Sequence, residues 1–143
     1  MAMYGQGITR GKVAILGLDA TINQACAAIV PKNENQIKTK FLYYFFEKNY
    51  DLIRNFGHGA NQKNISGTLI KSIEVSFPTS VQEQNKIVEI LELLDKKKQI
   101  NTNKKHTLTA LFKTLLHELM TGQRRVHELD FDGMMKECNP NKE

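Results

Sequence analysis

A seam of residues spaced alternately four and three apart sets the strongest limit on what this chain can fold into. Ile87, Leu91, Leu94, Lys98, Asn101, Lys105, Leu108, Phe112, Leu115 and Leu119 follow one another in that rhythm without a gap, and Gly122 comes soon after. An apolar repeat averaging 3.5 residues marks a helix that lies along another helix, and glycine is the usual residue just beyond a helix end. At the other end, Ser80-Val81-Gln82-Glu83 has the capping-box arrangement, in which the serine hydroxyl accepts from an early helical N–H and the glutamate reaches back. No proline interrupts the stretch. At about 1.5 Å per residue the helix would run about 60 Å, longer than the diameter of a domain of this size.

Two packings satisfy this pattern. The weak helix formers Asn101-Thr102-Asn103 can break the helix, so that its halves fold back as a hairpin. Alternatively the helix stays whole and pairs with a partner, the polar middle Lys98-Asn101-Lys105 fixing register. Antiparallel pairing of two copies sets Ile87, Leu91 and Leu94 of one against Leu108, Phe112, Leu115 and Leu119 of the other. This second packing predicts a homodimer with those seven residues as its interface.

Residues 1–79 read differently. The apolar run Val13-Ala14-Ile15-Leu16 closed by Gly17, and the Ala-rich run from Ile22 to Val30 stopped by Pro31, fit buried strands. Ile73, Val75 and Phe77 alternate with Ser72, Glu74 and Ser76, the period of a strand with one buried face. Between them Phe41, Leu42, Phe45, Phe46, Leu52 and Ile53 recur at helical spacing and predict one helix with an aromatic core face. The expected fold class is α/β, a truncated domain with a small mixed sheet and flanking helices, followed by a long projecting, coiled-coil-forming helix. The expected divisions are residues 1–79, the helix at 80–122, and a tail at 123–143.

At 143 residues the chain has room for one such domain and an appendage. It carries 20 Lys and Arg against 15 Asp and Glu, a surplus that permits a polyanionic partner without requiring one. Two cysteines, Cys26 and Cys138, exclude a disulfide scaffold, and no close set of ligands suggests a metal site. No apolar run approaches the roughly 20 residues that span a bilayer, so a cytoplasmic protein without membrane contact is expected.

Several segments together resemble a known family. Gly59-Ala60-Asn61-Gln62-Lys63-Asn64-Ile65-Ser66, then Leu69-Ile70-Lys71-Ser72-Ile73, Phe77-Pro78 and Glu83-Gln84-Asn85-Lys86-Ile87-Val88 look like the end of a target recognition domain and the start of the conserved helix of type I restriction-modification specificity subunits. Gly11-Lys12-Val13-Ala14-Ile15-Leu16 and Thr21-Ile22-Asn23-Gln24-Ala25 resemble earlier parts of that domain, and Leu119-Met120-Thr121-Gly122-Gln123-Arg124-Arg125-Val126 the close of such subunits. The resemblance implies two recognition domains per whole subunit, each reading half of a bipartite double-stranded DNA target, with long antiparallel helices as spacers. It also implies partner modification and restriction subunits that bind S-adenosylmethionine, ATP and Mg. This chain matches the later part of one such domain and the helix after it.

The expected DNA-binding residues are Gln6, Arg10 and Lys12 near the start and Asn61, Gln62, Lys63 and Asn64 in the glycine-rich turn. Side-chain amides suit bidentate contacts to adenine, and cations suit phosphate or guanine. Exposed turns have this composition for purely structural reasons as well. No catalytic residues are expected: Gly5-Gln6-Gly7-Ile8-Thr9-Arg10-Gly11 lacks both the ending of a P-loop and the spacing of a dinucleotide fingerprint. The alternative reading is a coiled-coil protein-interaction module that binds no DNA.

Overall fold

A computed structural model describes residues 1–5, 8–55 and 64–129. These fall into two compact units, Met1–Leu94 and Asp95–Glu143. The helices are α1 (Thr39–Lys48), α2 (Tyr50–Asn55), α3 (Gly67–Lys71) and α4 (Val81–Met120), with a 3-10 turn at Val126–Glu128.

The aromatic segment forms two helices where one was expected. Asn49 makes the break: its backbone N–H and its side-chain amide both donate to the Phe45 carbonyl, at 3.1 and 2.8 Å, and close α1. Its own carbonyl then accepts from Ile53 N at 2.9 Å and starts the next turn. Leu42 and Phe46 of α1 and Ile53 of α2 are buried together with Ile65. Val13, Ile29, Ile37, Leu69, Ile70, Ile73 and Val75 close around them, each partly exposed. α3, which the sequence reading did not include, begins where Ser66 Oγ accepts from Leu69 N at 3.2 Å, an ordinary N-cap.

The expected mixed sheet is not formed, and the α/β assignment is corrected accordingly. Among the described residues the only β pairing is one isolated antiparallel bridge, Ala2 to Cys26. The short segment 1–3 is shared between two neighbours: Ala2 exchanges bonds with Gly11 and Lys12, while Met1 and Met3 bond Ala27 and Ala25. Neither contact grows into a ladder: among the described residues the apolar runs 13–16 and 27–30 meet no further backbone partner. Ile15, Leu16, Ile22 and Val30 are consequently exposed. The alternation at 73–77 survives in burial alone, with Ile73 and Val75 half-buried and Glu74, Ser76 and also Phe77 exposed. Apolar alternation reports which side chains seek cover; it does not report whether a neighbouring strand exists to accept the hydrogen bonds.

Ile53 and Ile65 are fully buried in this small core. Deleting three carbons from such a site costs the lost burial plus the cavity left behind. Ile65→Ala should therefore lower unfolding stability by about 3 kcal/mol, read as a shifted urea midpoint. A change below about 0.5 kcal/mol would show that the site is not packed as described.

α4 enters the first unit through Gln84 and Val88, both buried on one face. Ser80 Oγ accepts from Glu83 N at 3.4 Å, so the serine caps as expected. Gln84, with no exposed surface, is held by three backbone groups. Its Oε1 accepts from Lys38 N at 2.9 Å, and its Nε2 donates to the carbonyls of Gln36 and Pro78 at 2.7 and 2.8 Å. About two turns farther along α4, Glu92 pairs with Lys40 at 2.5 Å.

In the second unit α4 continues to Met120 with no break at Asn101-Thr102-Asn103, so the hairpin packing is excluded. Thr102 returns its hydroxyl to the Lys98 carbonyl, and Gln99 donates to Asn103 along the helix face. Gly122, at φ +69°, ends the helix in the left-handed region where glycine is least strained. Arg124 fastens the end by donating from its backbone to Glu118 O at 3.2 Å and pairing with the Glu118 carboxylate at 2.9 Å.

Candidate nucleic-acid interface

Residues 8–12 are pinned to α2 from three directions. Tyr50 donates its hydroxyl to Ile8 O at 2.5 Å, and Arg10 donates from its guanidinium to Arg54 O at 3.1 Å. Gly11 lies against the backbone of Arg54 at φ +85°, a conformation that side chains with a Cβ rarely adopt. The Arg54 guanidinium stands 6.0 Å from the centre of the Tyr50 ring.

Arg10 is half-buried by these contacts, so its charge is fixed at the end of α2. A guanidinium there also faces the negative end of the helix. Lys12 is exposed, and its carbonyl accepts from Ala2 N at 2.8 Å. Asn64 is exposed and directly precedes buried Ile65, whose N–H donates to Met3 O at 2.9 Å. Lys12 and Ile65 thus bond consecutive residues of the N-terminal segment, and Asn64 is the chain neighbour of the second. Gln6, Asn61, Gln62 and Lys63 lie outside the described residues. Burial holds the nearby Met1 ammonium, bonded to Ala27 O at 2.9 Å, below the ordinary α-amino value, while Cys26 acts in the opposite sense.

A second cationic region lies on α4 and was not singled out from the sequence. Lys96, Lys97, Lys98, Lys104, Lys105 and Lys113 are all exposed, and no Asp or Glu occurs from Lys96 to His117. Along the same stretch Leu94, Leu108 and Phe112 are 58, 54 and 65% exposed, and Leu91, Leu115 and Leu119 are half-covered. Among the described residues no group of three His, Cys, Asp or Glu side chains could hold a metal ion. No helix among them is long and apolar enough to cross a membrane.

A family model described as type I restriction modification DNA specificity domain matches residues 3–110, which takes in α1, α2, α3 and most of α4. The chain belongs to this family. No solved structure matches it. The specificity domain is thereby a DNA-recognising part of a type I restriction-modification system, and the reading as a helical interaction module without DNA is not favoured. Specificity domains of this family are in general non-catalytic. Because the match runs to residue 110, it includes the lysines at 96–105 along with the N-terminal unit.

Proposed function

We propose that this specificity domain reads one half of a bipartite double-stranded DNA target and pairs with a second copy through antiparallel α4 helices. The observation that carries the pairing is the uninterrupted helix with Leu94, Leu108 and Phe112 left in solvent at seam positions. Large apolar side chains in register along one seam are the mark of an interaction surface. In this arrangement residues 1–79 recognise DNA, the helix at 80–122 sets the spacing between two such domains, and residues 123–143 form a tail. Gln6, Arg10, Lys12, Asn61, Gln62, Lys63 and Asn64 supply the DNA contacts. Of these, Lys12 suits phosphate and Asn64 a base edge, whereas Arg10 also serves the fold. Methylation and cleavage belong to partner modification and restriction subunits in the cytoplasm, which hold S-adenosylmethionine, ATP and Mg; the chain itself needs no cofactor.

The test uses the purified chain alone and then with the modification subunit. Alone, with duplex DNA and S-adenosylmethionine, it should give no methyl transfer. With the modification subunit, methylation should appear at a discrete target, and Asn64→Ala should relax discrimination at one base position by about 1–3 kcal/mol. Methylation by the chain alone, or by the pair with no sequence preference, would overturn this reading.

A further inference from the structure

We propose that the groove between segments 13–16 and 27–31 binds the carboxyl-terminal end of another polypeptide as an added antiparallel strand. The groove lies wholly within the first unit and involves none of the residues assigned to DNA. Leu42 and Phe46 of α1 form part of its lining, Met1 adjoins it, and its volume is about 450 Å³. Ile15, Leu16, Ile22 and Val30, left exposed by the fold, all line it.

Segment 1–3 runs as a short extended piece with a neighbour on each side. Met1 and Ala27 exchange both backbone bonds, Ala27 N donating to Met1 O at 2.8 Å and the Met1 ammonium to Ala27 O at 2.9 Å. On the other side Gly11 N donates to Ala2 O at 2.9 Å and Ala2 N to Lys12 O at 2.8 Å. With Gly11 at φ +85°, this is the pattern of a bulge that begins on glycine. Bonded pairs in antiparallel strands recur every second residue. Continued beyond Met1, the line of segment 1–3 therefore meets Ile29 two residues ahead of Met1, and Ala14 and Leu16 one and three residues ahead. Among the described residues the backbone N–H and C=O groups of Ala14, Leu16 and Ile29 find no partner. Two segments thus offer bonds in one register to a strand that neither of them supplies.

Charge and direction select a chain end. A strand on this line runs with its carboxyl end towards Met1, which stands in its path. An internal segment has to turn away there, whereas a terminus can stop. The Met1 ammonium donates to Ala27 O, and burial already disfavours its charge, so a terminal carboxylate meets a cation that gains from it. With the last residue two positions ahead of Met1, about 3.3 Å of strand length is left for that carboxylate. The last side chain then points the same way as Ile29, onto the core that Ile29 packs against. The third from last follows it by alternation. The fitting partner ends in β-branched apolar residues at those two positions, and it combines strand addition with capture of a terminal carboxylate.

Fluorescein-labelled hexapeptides that alternate threonine and valine and end in valine test this by anisotropy. They are titrated against the whole chain, its Met1 verified by intact mass. The free-acid peptide should bind with a dissociation constant below about 1 mM. Its carboxamide should bind about tenfold more weakly, for want of one charge-assisted contact. Leu16→Pro removes the N–H offered three residues ahead of Met1 and should weaken binding about fivefold to tenfold. Leu18→Pro, exposed and outside the groove, should leave it unchanged. Circular dichroism establishes that both variants keep the helix content of the unmutated chain, and the acid–amide comparison needs no variant. Hydrogen exchange at the Leu16 and Ile29 amides should slow in the complex. No binding at about 1 mM, or equal effects of the two prolines, would overturn the proposal. Equal affinity for acid and amide would overturn it in favour of an internal strand. Protection of the Ile29 amide that rises with protein concentration in the absence of peptide would assign the groove to a second copy instead.

Discussion

Replacing Gln84 by leucine should cost about 3 kcal/mol of stability, which is a large part of what a domain of this size has. Leucine matches the volume but removes a donor and an acceptor at once. Lys38 N–H and the carbonyls of Gln36 and Pro78 are left without the side chain that now satisfies them. Each such loss in a buried setting costs about 1–3 kcal/mol, reduced where water can enter from the half-exposed side. Gln84→Glu is the sharper version. At neutral pH it sets a carboxylate where the amide nitrogen stood, 2.7 and 2.8 Å from two carbonyl oxygens. Burial and those oxygens raise the folded-state pKa of the new carboxyl above its unfolded value near 4.3. A raised pKa makes the folded form fully available below the unfolded value, and stability is lost as pH rises through the folded one. The glutamate variant should therefore approach the unmutated protein near pH 4 and fall below the leucine variant at pH 7. Urea titrations of all three proteins across that range check it; parallel pH curves for the leucine and glutamate variants would contradict the described bonding.

Leu94→Asp with Leu115→Asp should convert the proposed dimer into a monomer. Leu94 is well exposed and Leu115 half-covered on the helix, at two positions of the same seam. Burying a leucine at such a contact contributes about 1.5–3 kcal/mol, and a two-fold pair loses four of them. The total exceeds about 6 kcal/mol, or more than four orders of magnitude in dissociation constant. Carboxylates forced into the apolar contact add to the loss. Sedimentation at tens of micromolar should show a dimer before the change and a monomer after it, a range where a modest interface is occupied. A monomeric unmutated chain would remove the pairing and the spacing role together.

What the sequence made legible was local. Both ends of α4 are encoded within a turn of where they fall, by Ser80 at one and Gly122 at the other, and the helix follows its heptad pattern between them. The strands failed because pairing is non-local: nothing in Val13-Ala14-Ile15-Leu16 states whether another segment will bond its backbone. Gln84 was visible inside a family motif, yet its burial was not, since its partners Gln36 and Lys38 lie 48 and 46 residues away and take part through backbone atoms. Arg10 was read as a cation for DNA, and its bond to Arg54 O depends on the fold of a segment 44 residues on. The lysines of α4 are readable in the sequence, but the whole-chain balance of 20 against 15 averages over them, because Glu83, Glu89, Glu92 and Asp95 precede and Glu118 follows the acid-free stretch from Lys96 to His117.

The junction at Gln84 has a consequence for how this molecule tolerates change. Every bond it makes ends on a peptide group, so the side chains at 36, 38 and 78 are not part of the fastening. Substitutions at 36 and 38 should pass through the joint unnoticed, with one exception: proline at 38 removes the N–H that Oε1 needs. The surface around the start of α4 is thus free to acquire new chemistry, while one amide holds the geometry beneath it constant.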